Sequence, residues 1–238
     1  MLSIIIPTYN EEKYIGQSLS QFKSLSLPHE VIITDDKSTD RTVEIARSYA
    51  VTVLVPNEKH ATIAANRNEG ASLAKGNFLV FLDADSQIAN PDDFFGQILR
   101  YFEANKEIVA ITTYLKVQKD LETFTDRFIY LIFNWVHVLK NNIFHTGEAS
   151  GKFQMIRSEA FKKVKGCRAD LVCREDADMF QRLNRIGRTA CLSNVTVFHS
   201  GRRAHRIGWP KLLYIWMSET FVVATTGKSM AKEWKDVR

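Results

Sequence analysis

Two carboxylates separated by a single residue, Asp83 and Asp85, follow directly after an apolar run at residues 78–82. Such a run predicts a buried strand, and acidic side chains just beyond a buried strand need a compensating partner. Mg²⁺ and Mn²⁺ prefer carboxylate oxygens, often together with substrate phosphates. The pair therefore predicts a divalent-cation site, with Mg²⁺ or Mn²⁺ as the cofactor. The alternative is a polar strand end without a ligand.

The chain that positions this pair has an ordinary globular composition. Its 238 residues are 45% hydrophobic and 25% charged, which suits one domain around one core. The net charge of +5 is compatible with a phosphorylated ligand, a nucleic acid or an anionic membrane, and it does not choose among them. The three cysteines have no paired spacing and favour a reduced setting.

Apolar runs alternate with helical periodicities along the first hundred residues. Strands are expected at residues 2–6, 31–33, 51–55 and 78–82. Helices are expected to follow them, at residues 15–22, 43–50 and 61–75 and from Asn90 onward. This alternation predicts βαβ units in a largely parallel sheet. Ligands bind at the carboxyl edge of such a sheet, where Asp83 and Asp85 are expected to lie.

The second half of the chain is less regular. Strands are expected at residues 107–117 and 153–156, and helices at residues 123–140 and 175–186, the last ending at Gly187. No linker-like composition interrupts the chain. We therefore predict an α/β protein with a single domain, built on a mostly parallel mixed sheet flanked by helices.

Three further segments join the carboxylate pair in a fixed order. Residues 7–12 follow the first predicted strand, residues 35–40 follow the second, and residues 65–70 precede the strand that leads to residues 83–85. This ordered set resembles family 2 glycosyltransferases, and the resemblance runs over at least residues 2–200. It implies the GT-A fold, which binds nucleotide-diphospho-sugars.

The resemblance also implies a division of labour within the single domain, residues 1–238. About 1–105 would form the nucleotide-sugar-binding half, and about 106–238 the acceptor-binding half. Asp36 would accept a hydrogen bond from a uracil or guanine ring, and Arg67 would meet the nucleotide. Asp85 would bind the metal, and Asp83 would hold the ribose or a metal-bound water. The other positions implied to line the nucleotide-sugar pocket are Pro7, Thr8, Tyr9, Glu11 and Ala84.

Two matches in the second half complete the implied active site. Glu175 and Asp176 open a predicted helix, like the acidic pair of the family, and the Asp is the general base in inverting members. Glu175 is the adjacent rival for that role, and helix-start electrostatics is its non-catalytic explanation. His199 resembles a late histidine that completes the metal shell in some members. A structural or surface histidine is the alternative.

A basic run follows this histidine and begins with Arg202 and Arg203. Arginine pairs bidentately with phosphate, so the run predicts a flexible clamp on the diphosphate or on an anionic acceptor. A solvated loop is the alternative. Gly151 closes a glycine-bounded segment that is expected near the acceptor, and a simple tight loop is the alternative for that segment.

The implied reaction is metal-dependent, inverting transfer of a hexose from a UDP- or GDP-sugar to a hydroxyl of a carbohydrate or lipid-linked acceptor. A polyprenyl-phosphate sugar transferase is the rival, but an ionised phosphate needs no base, so the pair Glu175-Asp176 favours a hydroxyl. A non-catalytic nucleotide-sugar-binding module is a third reading. Dehydrogenase and P-loop fingerprints, zinc spacings and nucleic-acid modules are absent from the sequence, and we expect no nucleic-acid partner.

Two aromatic-rich segments, residues 124–139 and 209–223, suit helices that lie in a bilayer interface or pack on the sheet. No run approaches the 18 or so apolar residues of a spanning helix. Met1 leads straight into an apolar strand without the features of a secretory leader. We therefore expect a cytoplasmic protein, at the inner face of the cell membrane if these segments make peripheral membrane contact.

Overall fold

A seven-stranded sheet runs through the computed structural model, which describes residues 1–57 and 62–231. Its strands are β1 (Leu2–Thr8), β2 (His29–Asp35), β3 (Thr52–Leu54), β4 (Phe78–Leu82), β5 (Ile108–Val117), β6 (Phe153–Arg157) and β7 (Arg188–His199). Their spatial order is β3-β2-β1-β4-β6-β5-β7. Only β6 runs antiparallel to its neighbours, which confirms the mostly parallel mixed sheet. Residue 61 of the third predicted helix and residues 232–238 of the predicted domain lie outside the described residues.

Helices flank this sheet on both faces. In the described ranges they are α1 (Ile15–Ser20), α2 (Thr42–Arg47), α3 (Ile63–Leu73), α4 (Pro91–Ala104), α5 (Phe124–Val138), α6 (Ser158–Lys163), α7 (Glu175–Leu183), α8 (Arg202–Ile207) and α9 (Trp209–Thr226). A π-helical turn, Leu139–Ile143, continues α5. The predicted start of α4 is confirmed, because the Asn90 side chain accepts a hydrogen bond from the N–H of Asp93.

The βαβ pattern expected in the first half is confirmed. Strand β1 lies between β2 and β4 and is parallel to both, with Ile4 opposite Val31 on one side and Val80 on the other. Because the three strands run in one direction, their carboxyl ends meet at one edge of the sheet. The loops that leave Thr8 and Asp35 therefore start side by side.

The second half differs from the expectation at its last strand and at the helix before it. The last strand, Arg188–His199, was not predicted; it is long and pairs with β5. The helix expected at residues 175–186 ends at Leu183. Gly187 is not its left-handed cap. A Cβ at this position would lie 2.4 Å from Val109 Cγ1, so the glycine lets the chain pass close to β5.

Apolar side chains fill both faces of the sheet because successive residues of a strand point to opposite sides. Ile4 and Ile6 pack in the cluster that contains α1 and α4, while Ile5 packs in the cluster that contains α3 and α7. All three are fully buried. Burying a side chain of this size contributes about 1.5–3 kcal/mol. The two clusters hold the carboxyl edge of the sheet in place.

A buried carboxylate ties α8 and α9 to α5. Helix α5 begins with a capping box in which Thr123 and Asp126 bond to each other's backbone N–H groups. The Asp126 carboxylate also lies 2.8 Å from His205 Nε2 and accepts a 2.8 Å hydrogen bond from the indole N–H of Trp209. These contacts hold α8 and α9 beside the carboxyl edge of the parallel strands.

Helices α5 and α9 carry exposed aromatic side chains. Phe124 is 85% exposed, Trp135 55% and Phe221 69%. In residues 1–57 and 62–231, no helix combines the length and the apolar character that crossing a membrane requires. Contact with a membrane surface stays a prediction.

Candidate active site

A cavity of about 1330 Å³ opens at the carboxyl edge of the parallel strands. All fifteen site residues predicted from the sequence line it: Pro7, Thr8, Tyr9, Glu11, Asp36, Arg67, Asp83, Ala84, Asp85, Gly151, Glu175, Asp176, His199, Arg202 and Arg203. The structure therefore brings the whole set together, although it comes from both halves of the chain. The role of each residue stays a prediction.

Only one of the two consecutive aspartates at the end of β2 lines the cavity. Asp35 is fully buried and accepts hydrogen bonds from the Thr8 hydroxyl at 2.8 Å and the Ser38 N–H at 2.8 Å. It therefore joins the ends of β1 and β2 and shapes the loop that follows. Asp36 lines the cavity from that loop, which is the position needed to meet a base.

The basic run forms a helix, α8, so the interpretation of these residues as a loop is wrong. The guanidinium of Arg202 makes a bidentate pair with Glu11, at 2.6 and 2.7 Å. Its Nε also lies 3.5 Å from Asp85 Oδ2. Arg202, expected on the diphosphate, and Glu11, expected in the nucleotide-sugar pocket, thus form an ion pair on one side of the cavity.

The carboxylate pair after β4 surrounds an ammonium group that the sequence analysis missed. Lys152 Nζ lies 3.1 Å from Asp83 Oδ2 and 2.8 Å from Asp85 Oδ1. The Ser200 hydroxyl donates to Asp85 at 2.5 Å. Burial by itself would raise the pKa of Asp85, but the charges of Lys152 and Arg202 hold it below its usual range. Asp85 is therefore ionised, and protein cations neutralise its charge.

Two residues that contact the site were missed from the sequence, Lys152 and Gln154, and Glu148 was expected only as part of the glycine-bounded segment near the acceptor. The amide of Gln154 donates to Asp176 Oδ1 at 2.6 Å, and Glu148 accepts from Arg174 at 3.1 Å. The alternation of side chains along a strand, with a period of two residues, was the sequence signal that could have identified two of these residues at the start of β6. It places Lys152 and Gln154 on the same side of the chain, and a polar residue inside an apolar strand needs a buried partner.

His199 is buried beside this pair, but its hydrogen bond does not suit a metal ligand. Its Nδ1 accepts from the N–H of Gly201 at 3.1 Å, which assigns the ring proton to Nε2. Burial, followed by the charge of Lys152, lowers the pKa of His199 to about 3, so the ring is neutral at pH 7. Nε2 finds no hydrogen-bond partner among the described residues. Coordination through Nε2 requires the proton to move to Nδ1 and the bond with Gly201 to break.

The two carboxylates fit a hard divalent cation better than the histidine does. Asp83 and Asp85 offer oxygen atoms at the cavity, and Mg²⁺ is commonly held by one or two carboxylates while phosphates and water complete its shell. Within the described ranges, no group of three or more Asp, Glu, His or Cys side chains forms a complete protein cage. Donor phosphates would have to supply the remaining ligands.

Arg67, on α3, connects the acidic groups of the two halves. It is 1% exposed. Its Nη1 lies 2.5 Å from Asp176 Oδ1 and 3.1 Å from Glu175 Oε1, and its Nη2 lies 3.5 Å from Asp83 Oδ1 and 3.2 Å from the carbonyl oxygen of Gly151. Protein acids thus engage the guanidinium. The contact with a nucleotide implied by the resemblance stays a prediction.

The pKa of both acidic residues at the start of α7 is raised. Burial raises the pKa of Glu175, and the adjacent charge of Asp176 raises it further. Burial also raises the pKa of Asp176, although Arg67 opposes the rise. A carboxylate whose pKa approaches the working pH is a better general base than an ordinary surface carboxylate.

Two local conformations bring this pair to Arg67. A Cβ on Gly151 would lie 2.5 Å from Arg67 Nη2 and 3.0 Å from Asp176 Oδ2, so only glycine allows this approach. Arg174 precedes α7 with a left-handed φ of 67°, a conformation that costs a residue with a Cβ about 1–2 kcal/mol. Its pairing with Glu148 holds that conformation.

One wall of the cavity is apolar. It is formed by α5 and α9, through Phe133, Leu212, Leu213, Trp216, Met217 and Phe221. The polar wall at the sheet edge carries the acids and bases described above. A cavity with both kinds of wall suits a ligand that has a charged part and an apolar part.

Solved glycosyltransferase structures share this fold. The mannosyltransferase PcManGT of Pyrobaculum calidifontis, in complex with GDP-Man and Mn²⁺, has a TM-score of 0.71 at 19% identity, covering 96% of this chain and 65% of that one. Residues 1–349 of Staphylococcus aureus TarS, in complex with UDP-GlcNAc, have a TM-score of 0.64 at 21% identity, covering 83% and 57%. At such identities the likeness shows the fold alone, and it confirms the GT-A type.

Sequence relatives point to the same class of enzyme. The 4,4'-diaponeurosporenoate glycosyltransferase of Staphylococcus aureus is 32% identical over 150 residues, which cover 61% of this chain and 39% of that protein. The chain thus spans well under two thirds of that relative's length. The family description Glycosyl transferase family 2 matches residues 3–165, more than half of the chain. The glycosyltransferase class inferred from the sequence is confirmed, and the chain belongs to glycosyl transferase family 2.

Proposed function

We propose that this chain transfers a sugar from a UDP- or GDP-sugar to an acceptor hydroxyl, with inversion at the anomeric carbon. The observation that carries the proposal is the convergence on Arg67 of Asp83, from the end of β4, and Asp176, from the start of α7. A donor-side carboxylate and a candidate base thus share one buried cation. This arrangement suits a reaction in which a sugar lies between a leaving diphosphate and an attacking hydroxyl.

The donor side of the proposal rests on the residues at the ends of the parallel strands. Asp36 pairs with an N–H of the base, and Tyr9 stacks on its ring. Asp85, assisted by Asp83, holds Mg²⁺ or Mn²⁺. The ion supplies charge stabilisation to the departing diphosphate. Arg202, whose Nε lies 3.5 Å from Asp85, can exchange Glu11 for phosphate oxygens of the diphosphate.

On the acceptor side, Asp176 removes the proton of the attacking hydroxyl. Its pKa is raised by burial, and Gln154 and Arg67 hold its carboxylate in one orientation. Glu175 stays next to it as the rival base. In-line displacement requires this base on the face of the sugar away from the departing diphosphate.

The acceptor is proposed to have an apolar part, because the wall formed by α5 and α9 adjoins the polar site. A lipid-linked acceptor fits this wall better than a free sugar does. The exposed Phe124, Trp135 and Phe221 support peripheral contact of the same two helices with the membrane that carries such an acceptor. The inner face of the cell membrane is the proposed location.

The direct test incubates the protein with UDP- and GDP-sugars, Mn²⁺ and lipid-linked acceptors, and measures released nucleoside diphosphate and the anomeric configuration of the product. Asp176→Asn should keep donor affinity and lower turnover by ~10²–10⁴, the usual worth of a general base. Asp178→Asn is the matched control, because Asp178 lies on the same helix and pairs with Arg182 at 2.7 Å.

Each outcome separates the proposal from its rivals. A product of retained configuration would reject single displacement. Full activity of both Asp176→Asn and Glu175→Gln would favour a phosphate acceptor, which needs no base. Binding of nucleotide sugars without any turnover would indicate a non-catalytic binding module.

A further inference from the structure

The ammonium of Lys152 occupies the space between the two carboxylates that follow β4. Its Nζ is 3.1 Å from Asp83 Oδ2 and 2.8 Å from Asp85 Oδ1, one contact to each residue. Lys152 itself is 23% exposed, whereas the Asp85 side chain is fully buried. The lysine thus reaches inward from the cavity surface to a carboxylate that water does not reach.

The burial of Asp85 explains why a cation must lie between the two carboxylates. An ionised carboxylate removed from water needs a counter-charge and hydrogen bonds. Asp85 receives a hydrogen bond from Ser200 and lies 3.5 Å from Arg202 Nε. The contact of Asp85 with Lys152, at 2.8 Å, is therefore its shortest contact with a cation. Asp83 receives its second charge contact from Arg67, at 3.5 Å.

A divalent ion and this ammonium cannot occupy the pair together. Mg²⁺ lies about 2.0–2.1 Å from its oxygen ligands, and the Lys152 ammonium already contacts one oxygen of each carboxylate that would hold such an ion. Two cations in contact with the same oxygens would also repel each other strongly in a buried site. The metal therefore has to displace Lys152.

We propose that Lys152 is a tethered competitor of the divalent cation, which neutralises Asp83 and Asp85 before the donor binds and gives them up when the metal arrives with a nucleoside diphosphate. The diphosphate makes the exchange favourable because it offers negative oxygens to the metal and to the displaced ammonium. Metal alone then binds weakly, and metal with nucleotide binds well. This inference rests on the proposed use of a metal at the pair.

The test measures binding of Mn²⁺ alone, without nucleotide, by electron paramagnetic resonance. The variants are Lys152→Gln, which removes the charge, and Lys152→Arg, which keeps it. Lys162→Met is the matched control, because it removes one positive charge from an exposed position on α6, outside the cavity lining. Lys152→Gln should bind Mn²⁺ at least ~10-fold more tightly than the wild type, a gain of about 1.4 kcal/mol. Lys152→Arg and Lys162→Met should stay within about 2-fold of the wild type.

Adding UDP or GDP should narrow the difference in Mn²⁺ affinity between Lys152→Gln and the wild type, because the diphosphate gives the metal further ligands in both proteins and, in the wild type alone, also gives the displaced ammonium a partner. Thermal unfolding gives a second readout. Without Mn²⁺, Lys152→Gln should unfold at a lower temperature than the wild type, and Mn²⁺ should raise its Tm by more than it raises that of the wild type.

The failures can be told apart. If the wild type binds Mn²⁺ with nucleotide, and Lys152→Gln gains no affinity for Mn²⁺ alone and no extra rise in Tm, the competition is overturned and the metal site stands. If no variant binds Mn²⁺ with or without UDP or GDP, the metal site in the proposed function is overturned together with the competition.

Discussion

The two halves of the chain neutralise each other's acids across the cavity. Arg67, from the first half (residues 1–105), forms ion pairs with the two acidic residues at the start of α7. Lys152 and Arg202, from the second half (residues 106–231), form ion pairs with the carboxylates that follow β4 and β1. Removing a charged residue from one half should therefore destabilise the buried acids of the other half. The electrostatics of the site should depend on how the two halves pack together.

The halves also deliver their groups in different ways. In the first half, Asp36 and Asp83 follow directly from the ends of parallel strands, so backbone direction alone brings them to one edge. In the second half, Lys152 precedes an antiparallel strand, Asp176 follows a left-handed residue, and Arg202 opens a short helix. A regular pattern positions the first set, and individual conformations position the second. Three substitutions test this difference, and they are ordered here from the largest expected effect.

Removing Arg67 should have the largest effect. Arg67→Met leaves the buried Glu175 and Asp176 without their shared cation, and breaking a buried pair in this way typically costs about 3–5 kcal/mol. The free energy of unfolding, measured in urea, should fall by that amount, and transfer should be lost. Arg100→Met, at an exposed position on α4, is the control and should change it by less than about 0.5 kcal/mol. A loss of under about 1 kcal/mol for Arg67→Met would mean that the halves are not coupled through this residue.

A smaller effect is expected at the point where the halves approach most closely. Gly151→Ala places a Cβ against Arg67 and Asp176, which must shift. Overpacking of this kind costs about 1–3 kcal/mol, and turnover should fall with it. Gly96→Ala on α4 is the matched control. Its Cβ would meet only Arg100 Nη1 at 3.4 Å, and alanine in a helix gains about 0.5–1 kcal/mol. Equal stability and turnover for the two alanine variants would contradict the close approach.

The smallest effect concerns pH. A base works when deprotonated, so kcat/KM should rise with pH through the pKa of Asp176, which burial raises above the ordinary carboxyl value of about 3.9. Gln154 donates to this carboxylate and lowers its pKa. Gln154→Leu should therefore move the acid limb of the pH profile to higher pH, by up to about one pH unit. An acid limb that moves to lower pH would exclude Asp176 as the group that titrates.

Most of the fold and the membership of the site followed from sequence patterns, because those patterns are local. Alternating apolar runs predicted the parallel strands, and the acidic residues at their ends were correctly placed at the cavity. The missed features depend on partners distant in sequence. The partners of Lys152 and Gln154 are decided only when β6 inserts beside β4, and β7 becomes recognisable only when it pairs with β5. The functional roles assigned to the site residues await the experiments above.

The sequence by itself determined the class of fold and the carboxylates at the ends of the strands, since hydrophobic period is a property of short segments, and the resemblance of its ordered motifs indicated the family. Only the tertiary structure decided which cation meets which acid. Arg67 reaches Asp176 across 109 positions of the chain, and Arg202 reaches Glu11 across 191. Pairing energies between buried charges depend on distance and on exclusion of water, and both are set only when the two halves pack together.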